Sequence, residues 1–169
     1  MEVFWMVAWI AAVILVLLFA LVILVGAPFL PTLRAHVDPA FELLALKPGQ
    51  TMLELGSGDG RMLIAAAQRG IKSVGYELNP LLFMYSWLIT RKYRKYVLVI
   101  WGDYWRVSWP QADGIFVFLL NPYMKKLDKK IIQYQQDFVK PIKLVSFAFK
   151  IPGRKPIKKI DGLFLYKYQ

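Results

Sequence analysis

The stretch from Thr51 to Gly70, "TMLELGSGDGRMLIAAAQRG", constrains this chain more than any other. A short apolar run gives way to a segment with helical spacing, and three glycines in five residues (Gly56, Gly58 and Gly60) join the two. Glycine weakens regular structure, so such a cluster marks a tight turn whose backbone something approaches closely. The segment therefore reads as a strand, a ligand-accommodating turn and a helix that stops at Gly70.

The rest of the chain repeats that alternation. Strands are predicted at "KSVGYEL" (residues 72–78), "YVLVIWGD" (96–103), "GIFVFLLN" (114–121) and "KLVSFAFKI" (143–151), with one terminal strand at "LFLYKYQ" (163–169). Helices are predicted over 79–94, where Asn79 caps and Pro80 takes the first helical position, and over 123–139, where Met124, Leu127, Ile131, Tyr134 and Phe138 form an apolar face. Strands alternating with helices imply an α/β fold, with a doubly wound, mainly parallel sheet covered on both sides.

Before this domain, which occupies 51–169, the chain is different. Val3 to Val25 contains no charged residue. Those residues would reach roughly 34 Å as a helix, slightly more than a hydrocarbon core of about 30 Å. The run lacks a basic leader and a small-residue cleavage site, so residues 1–27 are predicted to form one transmembrane helix, with Trp5 and Trp9 near its outer interface. All 22 Lys and Arg lie at or after Arg34, which predicts a cell-membrane protein of one span with its domain in the cytoplasm. Residues 28–50 form a connector punctuated by prolines, with a short helix over 39–46 capped by Asp38. The formal net charge is +11, carried by clusters such as "RKYRK" (91–95) and "KKLDKK" (125–130). For a tethered domain this charge points to an anionic lipid surface or an acidic partner more than to nucleic acid. There is no Cys and a single His, His36, so no metal site is expected and His36 is given no role.

In a sheet of this kind ligands bind beyond the carboxyl ends of the strands, where strand order reverses. The acids gather there. Glu54 leads into "GSGDG", which holds Asp59; Glu77 ends the second strand and Asp103 the third. Glu77 follows Glu54 by 23 residues, close to the spacing of an acid that accepts ribose hydroxyls. Asp103 is suited to an exocyclic amine such as that of adenine. The loop is G-x-G-x-G flanked by carboxylates, which disfavours a pyrophosphate and favours a cationic ligand. S-adenosylmethionine combines ribose, adenine, an ammonium group and a sulfonium. Plainer readings stand beside these: Glu77 as a solvated strand end, Asp103 as a turn cap, and Asn121-Pro122-Tyr123 as a loop bend. Trp87, Trp101, Trp105 and Trp109 read as packing and interface residues rather than an aromatic cage.

"LELGSGDGR" (53–61) followed by "GYELNP" (75–80) resembles motif I and its successor in seven-strand, class I methyltransferases. With "PFLPT" (28–32) and "DYWRV" (103–107), the sequence is similar to the membrane-associated protein-lysine methyltransferases that modify the c-subunit of ATP synthase and the adenine nucleotide translocase. That resemblance implies a Rossmann-like fold, S-adenosylmethionine as cofactor, and a lysine of a membrane protein as substrate. Glu54, Gly56, Ser57, Gly58, Asp59, Gly60, Glu77 and Asp103 would bind the cofactor, and Asn121 or Tyr123 would orient the amine. One departure is Asn121-Pro122-Tyr123, where the family more often has a V-P-Q-like element; it is similar to the N-P-P-Y of enzymes that methylate amino groups of nucleic acids. Nucleic-acid methylation and a non-catalytic binding module are therefore the alternatives.

Overall fold

The central runs "TMLEL", "GIFV" and "IKLVSF" form the middle of one sheet because they are buried on both faces, while the edge runs "VLVIW" and "KKI" stay partly or largely exposed. The computed structural model describes residues 1–25, 32, 34–138 and 140–169, and on the first helix the side chains only as far as Leu17. The strands are β1 (Thr51–Leu55), β2 (Lys72–Glu77), β3 (Val97–Trp101), β4 (Gly114–Val117), β5 (Ile142–Phe147), β6 (Lys158–Ile160) and β7 (Leu163–Tyr168). Their order is β3-β2-β1-β4-β5-β7-β6. β1 to β5 pair in parallel, and β7 runs antiparallel to both β5 and β6. This is the Rossmann-like seven-strand arrangement that the family resemblance implies, one strand more than the sequence pattern alone predicts.

Alternation along the strands sorts the core into two layers. Leu53, Leu55, Ile115, Val117 and Leu144 face the helix α5 (Asn121–Asp137), whose Met124, Leu127, Ile131 and Tyr134 are buried against them. Met52, Phe116, Val145 and Leu165 face the other way, onto α2 (Val37–Leu44) and α3 (Arg61–Gln68). Each large apolar side chain so buried contributes about 1.5–3 kcal/mol. The helix α4 (Pro80–Thr90) packs beside β2 and the edge strand β3, capped as predicted by the Asn79 side chain, which accepts from Leu81 N at 2.9 Å.

Several boundaries move. The apolar run "GIFVFLLN" supplies only four strand residues, because α5 begins at Asn121 and needs the intervening residues as its approach. Asp38 lies inside the first turn of α2, whose cap position is His36, and it pairs with Arg69 rather than capping. The domain's end holds two strands, not one: β6 adds to β7 with Lys158 opposite Leu165 and Ile160 opposite Leu163, so the antiparallel hairpin is complete.

The transmembrane expectation is corrected. A helix, α1, does run over Glu2–Val25. Among the described residues, however, no helix is long and apolar enough to cross a membrane. The single-pass, cell-membrane placement and the cytoplasmic orientation drawn from that span fall with it. Of "PFLPT", only Thr32 lies within the described residues.

Candidate functional site

The sheet reverses order between β1 and β4, so the crevice opens past the ends of those two strands. The glycine turn forms one wall. Gly56 N and Ser57 N both donate to Tyr76 O, at 3.0 and 2.8 Å, which carries the β1–β2 ladder one step beyond the strand. Gly56 (φ 92°) and Gly60 (φ 74°) then take left-handed conformations that other residues enter only with strain. A Cβ built on Gly56 would meet nothing within 4 Å, so the space beside the turn is open, whereas one on Gly60 would come within 3.1 Å of Ser86 Cβ. The first glycine therefore leaves room for a ligand and the last allows α3 to pack against α4.

Glu77 holds the turn in place. Its Oε2 accepts from Gly58 N at 2.7 Å and its Oε1 from Asn79 N at 2.8 Å. Burial pushes its pKa up, and those backbone donors oppose the rise. Each oxygen retains a further lone pair for a ligand. Glu54 lies one strand away, paired in register with Gly75 on β2 and Phe116 on β4. It is 4% exposed and its Oε2 has no hydrogen-bond partner. Burial first, then the charges of Asp59 and Glu77, hold its carboxyl well above the usual range, while Arg61 pulls it down. Ser57 Oγ is likewise buried without a partner. Buried polar groups are usually satisfied, so two orphans beside an open turn mark a place built for a ligand. That ligand supplies donors or positive charge, and S-adenosylmethionine fits on both counts.

Asp103 stands beyond β3, where Gly102 N donates to Glu77 O at 2.9 Å and ties the two strand ends together. Asp103 Oδ1 accepts from Trp105 N at 2.8 Å, and Oδ2 lies 3.3 Å from Arg106 Nε. Asp103 thus caps its own turn. Its neighbour Tyr104, whose phenol is driven upward by burial and by the charges of Asp103 and Glu77, lines the same end of the sheet. Asn121 is the first residue of α5, exposed just after β4. Tyr123, partly buried, packs near Trp105 with ring centroids 6.4 Å apart.

Two participants escape the sequence. Arg61 forks onto Asp59, with Nε 2.9 Å from each carboxylate oxygen, and its Nη1 donates to Thr32 O at 2.6 Å. It thereby fastens the connector to the glycine turn across 29 residues, a link no local pattern announces. Gly75 is the other. A Cβ there would lie 2.7 Å from both Ser57 Cβ and Leu63 Cδ1, so its bareness seats the turn on β2. The four tryptophans do not converge: Trp109 is core, donating to Tyr104 O at 2.9 Å, and Trp87 lies out on α4. His36 packs on Phe147, ring centroids 4.5 Å apart.

Comparison with known proteins agrees with this geometry. The profile of the ANTKMT methyltransferase domain matches residues 54–158, more than half of the chain. The human lysine N-methyltransferase named for the C subunit of ATP synthase is 33% identical over 136 residues, covering 76% of this chain and 54% of that protein. The mouse adenine nucleotide translocase lysine N-methyltransferase is 32% identical, covering 77% and 56%. The chain thus spans little more than half the length of those two relatives. A protein-lysine N-methyltransferase of Saccharolobus islandicus is 27% identical, covering 80% of this chain and 86% of that protein. Among solved structures, an RNA methyltransferase from Salinibacter ruber, in complex with S-adenosyl-L-homocysteine, has a TM-score of 0.71 at 24% identity, covering 82% of this chain and 92% of that one; at that identity the likeness speaks for the fold alone. The chain belongs to the ANTKMT methyltransferase domain family, on the seven-strand class I fold, and its cofactor is S-adenosylmethionine.

Proposed function

We propose that this chain is a protein-lysine N-methyltransferase whose substrate is a membrane protein. The observation that carries the reading is the acidic, open-sided glycine turn, with Glu54 Oε2 and Ser57 Oγ buried and unpaired, in a chain of this family. The relatives named for the C subunit of ATP synthase and for the adenine nucleotide translocase supply the substrate class. Bound S-adenosylmethionine supplies a methyl group carried on a sulfonium. The chain's part is to bind, align and exclude water. Glu77 offers its free lone pairs to ribose hydroxyls, Gly56 leaves room for the ligand against the backbone, Gly58 presents the N–H that Glu77 holds, Asp59 is kept in the turn by Arg61, and Glu54, buried with Oε2 unpaired, favours a donor or positive charge. A lysine must reach the site neutral, and a crevice of low dielectric beside a cation favours loss of its proton without a dedicated base. The side-chain oxygen of Asn121, exposed at the start of α5, is our choice for orienting that amine, ahead of Tyr123.

The test is incubation of the purified chain with methyl-labelled S-adenosylmethionine and native membranes, followed by peptide mapping. Label on lysine supports the reading, and Gly58→Arg should abolish it. Label on RNA or DNA would favour the amino-group methylation that Asn121-Pro122-Tyr123 and the net charge of +11 allow. No label, from a chain that still binds S-adenosylhomocysteine, would leave a binding module.

A further inference from the structure

The helix α4 is apolar on the side it turns away from the sheet. Its inward line is Phe83, Ser86 and Thr90, the last two buried. The outward arc carries Leu81, Met84, Tyr85, Trp87 and Leu88, with Met84 62% and Leu88 58% exposed. Trp101, at the end of the edge strand β3, extends the arc: it is 62% exposed and stacks near Phe83, ring centroids 6.4 Å apart. A patch of large apolar side chains left on the outer side of a helix marks a contact surface.

The chain beyond α4 says what covers it. Arg91, Lys92, Arg94 and Lys95 follow its last turn, and among the described residues none of the four is paired with a carboxylate. The Arg91 guanidinium lies over the Trp87 ring, 5.4 Å from its centroid. Apolar and aromatic side chains to bury, edged by a cluster of unpaired cations, match a headgroup–acyl boundary of negative charge. We propose that the α4–β3 face seats on an anionic lipid surface, with the arc entering the interface and the four cations on the headgroups. Such seating is a contact along one face of the domain and needs no spanning helix. Because α4 starts at the Asn79–Glu77 junction, it brings the mouth of the cofactor crevice to the edge of the bilayer.

The chain has no cysteine, so Leu88→Cys in the full chain accepts a single environment-sensitive dye, and Gln133→Cys on the exposed side of α5 serves as the control. Quenching by neutral acrylamide is measured with vesicles of phosphatidylcholine containing about one-third phosphatidylglycerol, and with phosphatidylcholine alone. Quenching at position 88 should fall several-fold with the anionic vesicles only, with a blue shift, while position 133 stays accessible. Replacing Arg91, Lys92, Arg94 and Lys95 together by Glu should restore quenching at 88, and a dye at Met84→Cys should repeat the pattern. Attachment through any other segment would leave 88 as accessible as 133, which overturns the proposal. So would equal protection by uncharged vesicles, protection that grows with protein concentration without lipid (a second copy), or protection that needs an added protein substrate. No cofactor or turnover enters the assay, so its failure leaves the methyltransferase reading untouched.

Discussion

Glu77 is where ligand binding and fold meet in one side chain. Its two oxygens accept from Gly58 N and Asn79 N, so it joins the glycine turn to the start of α4 before any ligand arrives. Glu77→Ala removes two charge-assisted bonds and leaves two N–H groups short of a partner. The expected cost is about 2–4 kcal/mol of stability, with a fall of about 10–100-fold in S-adenosylhomocysteine affinity, read by denaturant titration and calorimetry. A folded variant of unchanged affinity would remove Glu77 from the ribose contact. Glu54 makes the opposite prediction, because its carboxyl is held high by burial and by Asp59 and Glu77. Between the ordinary Glu value and its raised native value, the folded chain binds more protons than the unfolded one, so stability falls as pH rises through that window. At acid pH, with Glu54 neutral in both states, wild type and Glu54→Gln should melt alike; towards alkaline pH the Gln variant should become progressively the more stable. Melting curves that stay parallel across pH would refute the assignment. At this scale the sequence was legible where chemistry is local: acids at strand ends and glycines in a turn. It was silent on Arg61 and Thr32, which meet only because the connector folds back over α3.

The turn and its flanking elements are seated by what is missing on β2. Gly75 faces Glu54 in the register, and Ser57 and Leu63 occupy the space a side chain would need. Gly75→Ala forces a displacement of the turn, and overpacking of this kind costs about 1–3 kcal/mol. The expected outcome is a lowered melting temperature together with weakened S-adenosylhomocysteine binding, since the same shift moves Gly58 from Glu77. Gly49→Ala makes a useful contrast: its positive φ of 87° brings strain, but a Cβ there meets nothing, so stability should fall without loss of ligand affinity. Elements with strong periodicity, β1, β2, β7 and α5, were readable to within a residue or two. β6 was not: its three residues, "KKI", carry no alternating pattern and form a strand only by pairing with β7. The α4 sequence announced a helix but not that most of its large apolar residues point away from the sheet, which depends on where the sheet ends.

Across the molecule, the sheet divides the work. The glycine turn, Glu54, Glu77 and Asp103 stand at the ends of β1, β2 and β3, while α5, β7 and the segment before β6 are tied together on the other side by Asp128. Its Oδ1 accepts from Tyr168 Oη at 2.6 Å and from Arg154 Nε at 2.9 Å, and the Arg154 guanidinium also lies over the Tyr168 ring, 4.3 Å from its centroid. Burial and the hydrogen bond to Asp128 drive the Tyr168 phenol upward, so it keeps its proton and goes on donating to Asp128 through the alkaline range. Because Arg154 and Asp128 are a third and a fifth exposed, solvent weakens the ionic part and the tyrosine bond carries more of the effect. Asp128→Ala should therefore cost about 1–2 kcal/mol, a fall of about 2–8 °C in melting temperature for a domain of this size. Affinity for S-adenosylhomocysteine should be unchanged, because none of the groups that face the crevice bonds to Asp128. If affinity falls in step with stability, the terminal hairpin and the cofactor crevice are one cooperative unit, and the division of labour between the two sides of the sheet does not hold.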